Sequence, residues 1–348
     1  MVVRVYLKQA WNLMKQNPLF STLYIVGTGI SIVMTMVIAI VYYVRLAPVY
    51  PETNRMRTLV VKSAKMTNDE STHSANISYA MLKDWFYSLE SAEVSTGVSG
   101  TSYARVTNDK EEIPTYARYT DENFFRVFPL VFLEGKPFTE ADRRSGIHNV
   151  VLTDSYAQQL FGTTKGVVGK NFLMDYTNVK VVGVVKSGSF LTPDSYAQVY
   201  LPYSCRDGYD DEGSHWALGG YRVYILMKES KSVTDVQDEV LELVRKFNVS
   251  DMGDGWKLDL VGQPELYWHS TFRLWSNVAV DWGRVIWMFV GIFMVLLFVP
   301  AFNLSGMISA RMERQLPDLG IRKAFGASRR RLLVQIIWEN LLLTGLGT

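Results

Sequence analysis

RMERQLPDLGIRKAFGASRRR, residues 311–331, is the stretch around which the rest of this sequence is organised. It carries seven basic residues against two acidic ones, and the 26 residues before it, 285–310, carry no charge. As a helix, which rises about 1.5 Å per residue, such a run is long enough to cross a hydrocarbon core about 30 Å thick. Basic residues beside a spanning helix stay in the cytoplasm, so residues 311–331 are predicted to lie on the cytoplasmic side of a membrane.

Three residues inside this stretch predict a short helix over about residues 317–325. Pro317 suits the first turn of a helix, where its missing N–H would have no partner. Gly326 suits the left-handed position just past a helix, and Ser328 is a good N-cap for the next one. The charges alone are equally consistent with a juxtamembrane loop that only fixes the topology of the chain.

The run DLGIRKAFGASRRRLL, residues 318–333, resembles the cytoplasmic coupling segment of the MacB/FtsX superfamily of ABC transporter permeases. The resemblance implies that this segment docks on a separate ATPase subunit and passes nucleotide-driven motion to the membrane helices. The positions to which it assigns coupling are Pro317, Asp318, Gly320, Ile321, Arg322, Lys323, Ala324, Phe325, Gly326 and Ser328. Pro317 departs from the family pattern, because many members have a charged residue there.

The charges of the chain divide by position. Residues 46–283 hold 24 basic and 31 acidic side chains, whereas the two flanks together hold 12 basic and 3 acidic ones. An acidic middle between basic ends indicates that the middle lies outside and the ends lie in the cytoplasm. Residues 19–44 are a second uncharged run of 26 residues. Because this run exceeds the about 7–15 apolar residues of a signal peptide, we interpret it as an uncleaved membrane anchor.

These observations predict six segments along the chain. They are a cytoplasmic amphipathic helix (1–17), transmembrane helix 1 (18–45), a periplasmic domain (46–283), transmembrane helix 2 (284–310), the cytoplasmic coupling segment (311–331) and the start of transmembrane helix 3 (332–348). The family resemblance implies four spans, so the chain is expected to stop within the third.

Between residues 46 and 283, short strand-like runs alternate with helix-like ones. Strands are predicted at 58–61, 101–106, 113–119, 149–152, 172–174, 179–185, 197–201, 221–227 and 256–261. Helices are predicted at 78–89, 154–161 and 233–247, the first capped by Ser78 and the second ended by Gly162. The hairpin 172–185 is predicted to turn at residues 176–178. The mixture indicates an α+β fold on an α-helical transmembrane region.

Four runs in this middle region resemble the periplasmic core domain of MacB-like permeases. They are TDENFFRVFPLVFLEGKPFTEAD (120–142), NVVLTDSYAQQLFG (149–162), VVGKNF (167–172) and VKVVGVVKSGSF (179–190). The resemblance implies a porter-like α/β lobe and an inserted β-rich lobe at about 97–218. Gly135 and Gly162 are predicted to end turns or helices, and Gly183 to permit a bulge or close backbone approach. Phe124, Phe125, Phe128, Leu160 and Phe161 are predicted to be core residues.

Aromatic residues are dense just before the uncharged run 285–310. Tyr267, Trp268, Phe272, Trp275 and Trp282 all lie within residues 264–283. Aromatic side chains at this position most often form an interfacial belt, and we expect a helical stalk to carry them.

Catalytic and cofactor motifs are not found in the sequence. Residues 162–170 (GTTKGVVGK) lack the spacing of a phosphate-binding loop, and the four histidines lack metal-ligand spacing. The acidic run 207–213 could bind calcium, but it lacks the order of an EF-hand, so a surface loop is the better interpretation. One cysteine, Cys205, excludes an intrachain disulfide. We therefore predict a non-catalytic chain without a metal or cofactor, with ATP and magnesium bound by the partner ATPase.

The leading hypothesis is the membrane subunit of an ABC system that exports a substrate from the periplasm or outer leaflet. FtsX-like signalling to a cell-wall hydrolase and lipoprotein release are alternatives within the same class. A membrane-anchored ligand sensor belongs to another class, but it would need a cytoplasmic signalling domain, and only 21 residues separate the two later spans. A membrane-bound hydrolase would need a catalytic constellation that the residue spacing does not supply.

The hypothesis implies a set of partners and a location. The expected partners are a cytoplasmic ABC ATPase subunit, a second permease chain in a homodimer or heterodimer, a periplasmic adaptor or hydrolase, and membrane lipid. The basic flanks adjoin spans and contain no nucleic-acid-binding module, so no nucleic acid is expected. The expected location is the bacterial inner membrane, with the large domain on the periplasmic side.

Overall fold

The computed structural model describes residues 18–100, 102–108, 111–210, 216–250, 255–296 and 298, together with scattered positions between 320 and 337. The chain divides into two units. One comprises Tyr43–Asp281, and the other comprises Met1–Tyr42 with Trp282–Thr348. The predicted amphipathic helix 1–17 lies outside the described residues.

Helices and strands alternate along the described chain. The helices are α1 (Pro18–Leu46), α2 (Tyr79–Asp84), α3 (Phe124–Val127), α4 (Glu140–Arg144), α5 (Asp154–Phe161), α6 (Val233–Val249) and α7 (Trp282–Leu296). The strands are β1 (Thr58–Val61), β2 (Ala64–Thr67), β3 (Thr72–Ile77), β4 (Ala92–Ser99), β5 (Ser102–Asn108), β6 (Glu111–Thr120), β7 (Phe132–Gly135), β8 (Asn149–Thr153), β9 (Asn171–Met174), β10 (Thr177–Val185), β11 (Val199–Pro202), β12 (Leu218–Gly219), β13 (Tyr221–Met227), β14 (Lys257–Asp259) and β15 (Glu265–Leu266).

The unit that contains the chain's flanks is mostly helical where it is described. Within α1, the segment Ile25–Leu46 is long and apolar enough to cross a membrane, with a mean hydropathy of 2.3. The described apolar helix α7 is shorter, and its sequence continues into residues that the structure does not describe. Exposed apolar side chains along both helices match the requirement of a helix in lipid.

The first lobe of unit 43–281 is an eight-stranded sheet. Its main path runs β14-β2-β3-β13-β1-β15, with β12 beside β3 and β4 beside β13. Strand β1 is buried along its whole length, because both faces of the sheet are covered. Leu59 and Val61 face a core shared with α2 and α6, whereas Val60 faces the aromatic cluster around α3. We call this part of the unit the sheet lobe.

The second lobe is a closed barrel. Strands β10, β8, β11, β6, β5 and β9 pair in that order, and β9 pairs back to β10 and closes the ring. Strand β7 extends the ring by pairing with the second half of β10. Apolar side chains of the strands and of α5 form its core, among them Val106, Val150 and Leu160. The barrel strands run from residue 102 to 202, within the predicted insertion, whereas β4 and β12 belong to the sheet lobe.

An aromatic layer joins the two lobes. Phe124, Phe125 and Phe128 are buried, as predicted, and pack against Tyr200 of the barrel and Tyr224 of the sheet lobe. The predicted α+β class with an inserted β-rich lobe is therefore confirmed.

The structure corrects two local predictions. The hairpin turns at Asp175 and Tyr176, which have φ values of 45° and 64°, while the following two residues already belong to β10. The expected helical stalk is wrong, because residues 264–281 contain a short strand, one turn of 3-10 helix and bends. Tyr267 in this segment is a core residue rather than part of a belt.

Candidate functional site

The described part of the predicted coupling segment contains a helical turn. Gly320, Ile321, Lys323 and Ala324 are helical, and the Phe325 N–H donates to the Ile321 carbonyl at 3.0 Å. Gly326 follows with a φ of +85°, the left-handed conformation that its position after a helix requires. Ser328 is described outside a helix. Pro317, Asp318 and Arg322 lie outside the described residues.

Apolar side chains of this turn are exposed. Ile321 is 56% exposed and Phe325 is 88% exposed. Among the described residues, no atom lies within 4 Å of the place where a Cβ atom would stand at Gly320. The turn therefore presents an apolar pair beside a position without a side chain.

The junction of the two lobes in unit 43–281 contains three buried carboxylates, Glu52, Asp121 and Asp194. We call these three side chains and their partners the lobe junction. Sequence reasoning did not select them, and each joins chain segments that are far apart in sequence. Buried carboxylates need several donors or cations, so their surroundings decide their role.

Asp121 joins the end of β6 to β4. Its carboxylate accepts hydrogen bonds from the Thr96 hydroxyl at 2.7 Å and the Gly97 N–H at 2.8 Å. It also accepts from the Tyr87 hydroxyl at 2.6 Å and from the N–H groups at the start of α3. Burial raises the pKa of Asp121 to about 6, although these hydrogen bonds oppose the rise.

Asp194, in the barrel segment before β11, pairs with two cations of the sheet lobe. Its oxygens lie 3.4 Å from Lys62 Nζ and 3.1 Å from Arg222 Nη1. Burial alone would raise the pKa of Asp194, but the positive charges of Lys62, Arg222 and Arg118 lower it below its ordinary value. Asp194 is therefore ionised at neutral pH.

Glu52 connects three parts of the unit. Its carboxylate pairs with Arg55 and accepts hydrogen bonds from Ser195 Oγ at 2.7 Å and from the Tyr267 hydroxyl at 2.9 Å. Arg55 in turn donates to the Val44 carbonyl, in the last turns of α1, at 2.9 Å. The Glu52–Arg55 pair therefore links the end of α1 to the barrel segment and to the residue that follows β15.

A fourth contact lies at the edge of the same junction. Arg143 pairs with Glu122, with Nε 2.8 Å from Oε2, and donates from Nη1 to the Tyr203 hydroxyl at 2.8 Å. Burial raises the pKa of the Tyr203 phenol, and the nearby Asp121 raises it further. The phenol is therefore neutral and can both donate and accept.

Hydrogen bonds and ion pairs connect the two lobes at the lobe junction. Each of the three buried carboxylates meets two or more donors or cations within the described residues. Those donors and cations fix the two lobes against each other. The same part of the chain has no group of three or more His, Cys, Asp or Glu side chains placed to hold a metal ion. Residues 211–213 of the acidic run lie outside it.

Two protein families match the sequence. The pattern of the MacB-like periplasmic core domain matches residues 20–243, which is more than half of the chain. The pattern of the FtsX-like permease C-terminal region matches residues 277–348.

Individual relatives are distant. The pyoverdine export ATP-binding/permease protein PvdT of Pseudomonas fluorescens is 24% identical over 67% of this chain and 33% of its own length. The macrolide export ATP-binding/permease protein MacB of Escherichia coli O157:H7 is 21% identical over 70% of this chain and 35% of its own. The chain thus spans about a third of these relatives. The periplasmic region of MacB from Actinobacillus actinomycetemcomitans aligns at 16% identity over 57% of this chain and 88% of that one, with a TM-score of 0.41.

Proposed function

This chain belongs to the MacB/FtsX-type permeases, with a MacB-like periplasmic core domain and an FtsX-like permease C-terminal region, and we propose that it is the membrane subunit of an ABC exporter. A separate cytoplasmic ATPase drives it, and its large domain lies on the periplasmic side of the bacterial inner membrane. The observation that carries the proposal is that both regions occur in one chain. An apolar helix precedes the periplasmic core domain, and another follows it.

The proposed substrate leaves from the periplasm or the outer leaflet. The two relatives named above are exporters of pyoverdine and of macrolides, so export is the activity that their names support. The chain itself is non-catalytic in this proposal, and ATP and magnesium bind to the partner ATPase.

The exposed turn at residues 320–326 supports a docking role in this proposal. Ile321 and Phe325 form an apolar pair, and Lys323 adds a positive charge. A groove on the ATPase lined by apolar side chains with acidic residues at its rim would match this surface. Charges at such a rim contribute association rate and orientation more than affinity.

The lobe junction supports a mechanical role. Arg55 bonds to the end of α1, and its partner Glu52 bonds to both lobes. A displacement of residues 43–46 would therefore act on the barrel and the sheet lobe together. Separating the two lobes would break these buried ion pairs. The break would leave a buried charge without its partner, which is energetically costly.

The proposal is tested by purifying the tagged full chain from its native membrane. We expect an ATPase subunit with a phosphate-binding loop to co-purify, and ATP hydrolysis to follow that subunit when the two are separated. Hydrolysis by the chain alone, in a preparation free of other ATPases, would contradict the proposal. The same preparation identifies the partner on the outer side. A co-purifying adaptor would support export, whereas a cell-wall hydrolase would support FtsX-like signalling and a lipoprotein would support lipoprotein release.

A further inference from the structure

The segment between the 3-10 turn and α7 contains a loop whose two ends are linked by one arginine, which is also bonded to the sheet lobe. We call residues 273–278 the Trp275 loop. At its start, Arg273 pairs with the buried carboxylate of Glu265 and donates to the Val261 carbonyl at 2.9 Å. At its end, the Val278 carbonyl accepts from Arg273 Nη1 at 2.6 Å. One arginine therefore holds both ends of the loop.

A second contact fixes the middle of the loop. The Ser63 hydroxyl, buried between β1 and β2, donates to the Ser276 carbonyl at 2.5 Å. The Val278 N–H donates to the Trp275 carbonyl at 3.2 Å and forms a turn. The backbone is thus ordered before any partner binds, so a partner would not have to order it.

The side chains that the loop presents are apolar and outward-facing. Leu274 is 65% exposed and Trp275 is 67% exposed, and Val278 is also exposed. Residues 274–280 (LWSNVAV) carry no charge, and the charge of Arg273 is compensated by Glu265. An exposed apolar cluster on a rigid base indicates a binding surface.

We infer that the Trp275 loop inserts into the outer headgroup region of the lipid bilayer and orients the periplasmic domain on the membrane. Trp275 lies only seven residues before Trp282, where the apolar helix α7 begins. At about 3.5 Å per extended residue, that spacing keeps the loop within about 25 Å of the helix start. Tryptophan is enriched at this depth, because its ring is apolar and its N–H is polar.

The inference concerns lipid and is independent of the ATPase partner. It requires only that α7 enters a membrane, so it can fail while the proposed transport function stands. Two other occupants, a second copy of the chain and a periplasmic protein, would cover the same side chains without lipid contact.

The test places a fluorescent probe on the loop of the full chain in lipid nanodiscs. Cys205 is first replaced by serine, and Trp275→Cys is labelled with an environment-sensitive fluorophore. The matched control is Leu241→Cys on α6 of the same lobe, where the native side chain is 51% exposed. Leu274→Cys is a second loop position in case the first variant folds poorly.

We expect lipids with a nitroxide near the headgroup to quench the loop probes at least threefold more than the control probe. Aqueous iodide should quench the loop probes less than the control. Strong quenching by iodide at the loop would overturn the inference, because the side chain would lie in water. Protection from both quenchers would also overturn it and would indicate a protein partner instead.

Discussion

At the scale of single residues, Asp121 gives the clearest pH dependence. Its folded-state pKa of about 6 lies above its ordinary value of 3.8. Folded Asp121 therefore keeps a proton that the unfolded chain has released between about pH 4 and pH 6. The protonated carboxyl therefore contributes fully to stability below the ordinary pKa of 3.8, and this contribution is lost as the pH rises through about 6.

Asp121→Asn removes this titration. We expect the free energy of unfolding of the wild type, relative to that of the variant, to be about 2 kcal/mol higher at pH 4.5 than at pH 7.5. Urea unfolding of residues 43–281 at each pH measures it. Parallel pH profiles for the two proteins would contradict the assignment.

Asp194 is the second residue whose loss should be severe. Asp194→Ala leaves Lys62 and Arg222 facing each other without their shared counter-charge. Removing one partner of a buried ion pair costs about 3–5 kcal/mol, and we expect a loss of that size in urea unfolding. The control is Glu229→Ala, which removes an exposed partner of Arg57 and should cost about 0–1 kcal/mol. Equal losses in both variants would show that Asp194 is not a structural counter-ion.

At the scale of elements, the turn of the β9–β10 hairpin holds a non-glycine residue in a strained backbone conformation that a substitution can relieve. Tyr176 is exposed and has a φ of 64°, a conformation that costs a non-glycine residue free energy. We expect Tyr176→Gly to raise the free energy of unfolding by about 0.5–1 kcal/mol, since Asp-Gly favours this type of turn. Tyr176→Ala is the control, because it removes the ring and keeps the strain. An increase in stability for alanine as large as for glycine would contradict the explanation.

The helical turn at residues 320–326 is the element that the coupling prediction concerns. Gly320 and Ala324 share one helical face, so a groove could approach closely there. Gly320→Trp should block binding of the ATPase subunit by steric bulk and leave membrane insertion intact, as co-purification and membrane fractionation would measure. Gly320→Ala is the conservative control.

An interfacial helix would instead tolerate tryptophan, which is welcome at that depth. Undiminished co-purification with Gly320→Trp would therefore remove this helix as the coupling element.

Several elements could be predicted because their pattern is local. Strand 221–227 and helix 154–161 match their predictions in full, and Gly162 ends the helix with a φ of 70°. Gly183 also meets its prediction, since an added Cβ atom would lie 2.7 Å from the Lys136 carbonyl oxygen. Strands β2 and β3 were not predicted, because they are rich in polar residues. They pair with each other, and distant strands extend the pairing: β14 beside β2, and β12 and β13 beside β3.

The lobe junction could not be predicted from local patterns. Glu52 meets Ser195 across 143 residues and Tyr267 across 215. In the sequence these carboxylates resemble any surface acid, and only the tertiary fold removes them from water. Asp121 had one signal, because it is the second residue of the TDENFF run that resembles the family pattern.

At the scale of the whole molecule, the topology itself is a prediction. Alternating apolar spans with basic flanks indicate that residues near 100 lie outside and residues near 327 lie inside. We expect reporter fusions after Gly100 and after Ala327 to be active on opposite sides of the membrane. Alkaline phosphatase and green fluorescent protein measure the two sides. Reporters active on the same side would contradict the entire arrangement.

The strand order of unit 43–281 also sets the sequence in which its parts can fold. All six strands of the closed barrel lie between residues 102 and 202, so the ring can form as soon as that segment is available. Strand β4, in contrast, pairs with β13, which begins at Tyr221. During synthesis its edge therefore stays unpaired for more than a hundred residues. Contacts at such separation form slowly and leave apolar edges open to aggregation. Folding of the sheet lobe, unlike folding of the barrel, therefore has to wait until β13 has been synthesised.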